Sequence, residues 1–201
     1  MKSEIITVTS QGEGMSAALS MTEKLGAESG LDSKPVLHLR LLAEELFGML
    51  RSITGELAAE YWVEEEDKRF ELHMKSKRED LTLEMREQFL SASSSGKNEA
   101  AKGFMGKIRD MIGILLTPQE NDFSGLSLGL MGMGSPGGYR AGNYEWNLRS
   151  YIEGIEDKVG EDGEAAEAWD ELEKSIVAKI ADDVKVGILG SEVELTVFKA
   201  F

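Results

Sequence analysis

Few side chains in this sequence could do chemistry, and the clearest is Glu45, inside the stretch VLHLRLLAEELFGMLRSIT that runs from residue 36 to 54. Leu39, Leu42, Leu46, Met49, Leu50 and Ile53 recur there at steps of three and four, the spacing that lines one face of a helix. Glu45 lies beside that stripe, about 100° round from Leu46. A carboxylate so placed is either a solvated rim residue of an amphipathic helix or a general base facing a pocket. A second candidate is the segment SGLSLGLMGMGSPGG, whose Gly125, Gly129, Gly132 and Gly134 could bring backbone N–H groups around a phosphate. Interleaved Leu126, Leu128, Leu130, Met131 and Met133 read equally as an apolar loop. Neither a lysine nor a helix start follows closely, and Arg140 is the nearest base. The chain has no cysteine and two histidines, His38 and His73. Thiolate nucleophiles, disulfides and Cys-based zinc sites are thereby removed, and a His-rich metal site is not expected.

The elements that must position these residues follow from periodicity. Residues 4–9, EIITVT, are short and β-branched and predict a first strand. Met15 to Glu28 predicts a helix stopped at Gly30, and Asp32 or Ser33 can cap the helix that carries Glu45, with Pro35 in its first turn and Gly55 closing it. Ala59, Tyr61 and Val63 alternate with Glu60, Trp62 and Glu64; after a turn at Glu65–Lys68, Phe70, Leu72 and Met74 alternate with Glu71, His73 and Lys75. That is an antiparallel hairpin with one wet face, and it puts His73 on the solvent side. Trp62, and Phe198 near the C-terminus, also fall on the polar row, where they need a cover: the long insert folding back, or an interface.

Between Ser76 and Glu164, helical stretches at Leu81–Leu90 and Glu99–Leu116, joined by SASSSGKN, precede the glycine-rich segment and a short helix around Tyr144 to Ile155. Ala165 to Ala181 predicts one helix with Ala168, Leu172, Ile176 and Ile180 in register and Trp169 at its margin. Val184, Val186 and Ile188, then Val193, Leu195 and Val197, predict a closing hairpin turning at Gly190. The expected fold class is α+β, a two-layer sandwich with a mixed, mostly antiparallel sheet and helices on one face. It is a single domain over 1–201 with an insert at 77–163.

The formal net charge of -15 repels nucleic-acid phosphates, so DNA or RNA is not an expected partner. No apolar run approaches the roughly 20 residues of a membrane span, and MKSEIITVTSQ lacks a signal core, so the expected compartment is the cytoplasm. Glu153 to Glu173 concentrates acids, with Lys158 the only base, and reads as a solvated helix face or a dock for a basic partner.

The order of elements, with LLAEELFGMLRSIT, FELHMKSK and KSIVAKIADDVKVGILGSEVELTVFKAF, resembles the histidine-kinase/Hsp90-like ATPase superfamily (the GHKL or Bergerat fold), and within it the bacterial anti-sigma serine kinases. The resemblance covers Glu4 to Ser76 and the C-terminal end, with the lid region enlarged between them. It implies that Glu45 stands at the family's base and Met49 at the place of the family's Mg²⁺-binding Asn, four residues on. Ser76 and Arg78 stand where the family has an adenine-reading Asp and a following Gly. Glu171-Leu172-Glu173-Lys174 replaces the glycine box. A thioether does not hold Mg²⁺, so the resemblance implies a regulatory protein with a degenerate ATP site that binds a sigma- or anti-sigma-antagonist-like protein and pairs as a homodimer. The competing expectation is an active ATP- and Mg²⁺-dependent protein serine kinase or ATPase, with Glu45 as base and the 125–138 loop on the phosphates. A stand-alone structural domain without a pocket is the third.

Overall fold

The structure, a computed structural model, describes residues 1–51, 57–77, 108, 143–156, 158, 160, 163–189 and 192–201. The described elements are β1 (Ile6–Thr9), α1 (Met15–Glu28), α2 (Ser33–Arg51), β2 (Ala58–Glu66), β3 (Arg69–Lys77), β4 (Asn143–Asn147), α3 (Leu148–Glu156), α4 (Gly163–Lys174), α5 (Ile176–Ile180), β5 (Asp183–Leu189) and β6 (Glu192–Ala200). The strands form one sheet in the order β1-β2-β3-β6-β5-β4. Every pairing between them is antiparallel, so the mixed sheet of the sequence expectation is corrected to a purely antiparallel one. A hairpin can join antiparallel neighbours directly, and β2–β3 and β5–β6 do so.

One row of every strand is apolar and enters a single core with the helices: Val8, Tyr61, Leu72, Leu195 and Val186 from the sheet meet Leu39, Leu42, Leu46 and Leu50 of α2. The α2 stripe is as the spacing predicts, widened by Ala43 and Phe47; Ile53 and Gly55 lie outside the described residues. Helix α2 packs against α1, α5 and β1, while α3 packs against α4, β4 and β5. This is a coarse α/β sandwich. In its core the Tyr61 hydroxyl shares a 2.8 Å hydrogen bond with Thr22 Oγ1, whose own proton goes to the Ala18 carbonyl at 2.8 Å. Phe47 meets the same ring edge-on at 4.9 Å. Burial pushes the Tyr61 phenol far above its ordinary range, so it stays a neutral member of this pair.

Three local expectations are corrected. The helix expected around Tyr144 starts later: Asn143–Asn147 is a strand on β5, and Asn147 Oδ1 accepts the Ser150 N–H at 2.8 Å, capping α3 where the strand ends. The single helix expected over 165–181 is two, because Ser175 leaves helical geometry (φ -75°, ψ 128°) and its Oγ accepts the Ala178 N–H to start α5. The break shifts the stripe by one residue. Val177 is buried and Ile176 is 40% exposed. Trp169 packs at the margin of the core as expected.

The third correction concerns the first hairpin. The turn is two residues, Asp67 and Lys68, both left-handed with φ of 50° and 61°, and Glu66 pairs with Arg69. Two left-handed residues match the twist of the flanking strands. Trp62 therefore faces His73 across the sheet, where a four-residue turn would have paired it with Glu71. Among the described residues, no helix is long and apolar enough to cross a membrane.

Candidate functional site

Glu45 projects from the edge of the α2 stripe, half-buried, one helical turn before Met49. Burial first, and the neighbouring Glu44 carboxylate second, hold its carboxyl above the usual range. Glu44 is itself engaged, accepting from Arg40 Nε at 2.8 Å, while Arg40 Nη1 reaches Glu23 on α1 at 2.9 Å. Met49 is 6% exposed and belongs to the core, as filler beside Leu46 and Leu50.

The sign of the Glu45 shift gives a prediction. An acid whose folded value is raised destabilises the native state once it ionises, and contributes nothing below both values. Glu45→Gln is therefore expected to raise the thermal midpoint at about pH 8 and leave it unchanged at about pH 4. Midpoints followed by circular dichroism across that range check this; a variant less stable than the parent at the higher pH contradicts it.

Ser76 stands elsewhere, at the end of β3. It lines a cleft of about 190 Å³ with Thr7, Ala58, Ala59, Glu60, Lys75 and Lys77, which contains neither Glu45 nor Met49. One of the cleft's two lysines is engaged: Lys75 Nζ sits 2.6 Å from Glu192 Oε2. That hydrogen bond, with the nearby Glu194 and Glu60 charges, holds the Lys75 ammonium above its ordinary value. Glu171 to Lys174, at the place of the family's glycine box, form the last turn of α4, with Leu172 buried and Glu173 accepting from the Trp169 indole at 3.3 Å. In the last turn of a helix the N–H groups already donate to carbonyls one turn earlier, so this stretch offers no free backbone donors to a phosphate. Arg78, Gly125, Gly129, Gly132, Gly134 and Arg140 lie outside the described residues, as does the 77–163 insert up to Asn143 apart from Lys77 and Ile108.

Sequence reasoning missed the second face of the sheet. His73, expected at the surface, is only 8% exposed. Trp62 stacks flat on it, with ring centroids 4.7 Å apart and planes 2° from parallel. Its Nδ1 is 2.7 Å from Glu194 Oε1 and 3.3 Å from Thr196 Oγ1, and Nε2 is 3.5 Å from Glu71 Oε2. The carboxylate accepts from Nδ1–H, which fixes the ring's tautomer when it is neutral. Trp62 is also 8% exposed, and its indole N–H donates to Glu64 Oε1 at 3.0 Å. Lys2 Nζ bonds the same oxygen at 2.9 Å and lies 5.1 Å from the centre of the Trp62 ring. Phe198 on the same face is half-buried under Lys185, whose Nζ is 5.1 Å from the ring centre. The signal for this cluster was the turn: a left-handed pair at Asp67–Lys68 fixes which residue Trp62 meets.

Comparison with family models, with curated proteins and with solved structures finds no match to any of them.

Proposed function

We propose that the chain is a bacterial regulatory protein built on the histidine-kinase/Hsp90-like ATPase fold, nearest the anti-sigma serine kinases. Its nucleotide site is degenerate, and it acts in the cytoplasm, paired as a homodimer, by binding a sigma- or anti-sigma-antagonist-like protein. The order of elements supports the fold: an opening strand, two helices and a hairpin, then a closing helix and hairpin whose last strand lies against the first hairpin.

The observation that carries the loss of the site is the burial of Met49 in the core, one turn after Glu45. A cation beside Glu45 would need oxygen ligands, and this position supplies a thioether facing inward. Glu171 to Lys174, helical where phosphates would need free N–H groups, point the same way.

ATP with Mg²⁺ is accordingly expected to leave the melting temperature unmoved. A ligand at a hundred times its Kd adds about 2.7 kcal/mol, which for a chain of this size is a shift of roughly 5–10 °C. Met49→Asn alone is expected not to restore binding, because a buried amide would still lack the rest of the contact set; micromolar binding by calorimetry would overturn that. The raised Glu45 carboxyl favours a second reading, an active kinase or ATPase with Glu45 as base and the 125–138 loop on the phosphates. A shift of several degrees with ATP and Mg²⁺ would select it.

A further inference from the structure

β1 covers only the first four residues of β2, Ala58 to Tyr61. Beyond them the edge of β2 is covered by residues 1–4, which pair through Lys2 and Glu64 in a register one residue out of step with β1. The mismatch leaves one extra residue on the N-terminal side, a bulge at Glu4–Ile5.

The ladder of this arm is thin. Ser3 N–H donates to the Val63 carbonyl at 2.8 Å and Glu65 N–H to the Met1 carbonyl at 2.6 Å. Val63 N–H is satisfied by a serine hydroxyl, Ser3 Oγ at 2.9 Å, rather than by backbone. The arm also buries little apolar surface, since Met1 is 61% and Ile5 56% exposed. A segment held by edge hydrogen bonds, the Met1 ammonium on the Glu65 carbonyl among them, and by ion pairs from Met1 to Glu65 and Lys2 to Glu64, with little apolar burial, opens at low cost.

What the arm does fill well is one ammonium position. Lys2 Nζ lies against the face of Trp62 and on Glu64 Oε1, and the Trp62 indole N–H holds that same oxygen in place. Ring face and fixed carboxylate are the two halves of a site for a primary ammonium. Lys2, then the Trp62 indole, hold the Glu64 carboxyl below its usual range. His73 stacks on the Trp62 ring, the planes 2° from parallel, and so restricts its orientation.

We propose that the outer edge of β2 from Trp62 to Glu65 is a recognition site for a lysine-bearing extended segment of a partner protein, and that residues 1–4 occupy it in cis. Backbone groups of β2 supply the strand-addition bonds, and the Trp62–Glu64 pair reads the lysine. The run Glu64-Glu65-Glu66, in a chain of net charge -15, matches a basic segment and disfavours an acidic one. This surface is independent of the nucleotide site, so an ATP titration does not bear on it.

The test is an NMR titration of the Trp62 indole N–H with the synthetic pentapeptide Met-Lys-Ser-Glu-Ile. It is added to the full chain, to a chain lacking residues 1–4, and to full-length Lys2→Ala. Saturable shifts are expected in the two variants at about millimolar peptide. The full chain needs about twofold more, because its own arm competes at a millimolar effective concentration, comparable to the peptide's own Kd. Norleucine in place of the peptide lysine, or Glu64→Gln in the shortened chain, is expected to abolish the shift, and about 1 M salt to weaken it. Lys2→Ala, with the chain otherwise intact, covers the case in which the shortened chain fails to fold. The proposal is overturned if neither variant responds while Lys2→Ala remains folded, or if the norleucine peptide binds equally well. It is also overturned if the full chain doubles its mass in sedimentation in a manner that needs residues 1–4, which would make a second copy the occupant.

Discussion

Leu46→Ala is expected to destabilise the protein by about 3 kcal/mol, within the 2–5 kcal/mol found for buried leucines cut to alanine. Leu46 is wholly buried, at the middle of the helix that packs on α1, on α5 and against the sheet edge at β1. Truncation removes its transfer free energy and leaves a cavity that this surround closes only in part. For a chain of this length the loss corresponds to roughly 6–12 °C in melting temperature. Denaturant unfolding should show a lower midpoint with an unchanged slope. A loss below about 1 kcal/mol would mean that α2 is not packed as described.

Gly14→Ala should be the most damaging change outside the core. Gly14 precedes α1 at φ +73°, in the left-handed region, and a Cβ built there would lie 2.0 Å from the Thr7 carbonyl oxygen. Strain of about 1–2 kcal/mol from the backbone adds to an overlap with main chain that cannot rotate away, for a total of about 3 kcal/mol. Gly12 separates the two contributions: it is also left-handed, at φ +98°, but nothing lies within 4 Å of its Cβ position. An alanine there should cost only the strain. If both variants unfold at the same denaturant concentration, the close approach of Gly14 to β1 is refuted.

Where one periodicity dominated, the fold could be read from the residues. The α2 stripe, α1 from Met15 to Glu28 and the closing hairpin stand where their spacing put them. Where a single side chain redirected the backbone, it could not: Ser175 and Asn147 are ordinary polar residues until their oxygens accept an N–H three residues on. Trp62 and His73 read as a wet row because alternation sees faces, not partners. Only the two-residue turn places one on the other. Of the candidate site, Met49 was legible as core, whereas Glu45 was ambiguous in the sequence and half-buried in the fold. A position about 100° off a stripe is where small rotations decide between water and protein.

The order of the sheet sets a schedule for synthesis. β6 lies between β3 and β5, so the last of the described strands in sequence order fills the middle. Until Glu192–Ala200 has left the ribosome, the first hairpin shows a bare flank along β3 where Leu72 and Met74 await Val197 and Leu195. A nascent chain in that condition carries an open template for stray pairing throughout the making of more than a hundred further residues. Pairing over so long a sequence separation also slows folding once the chain is released.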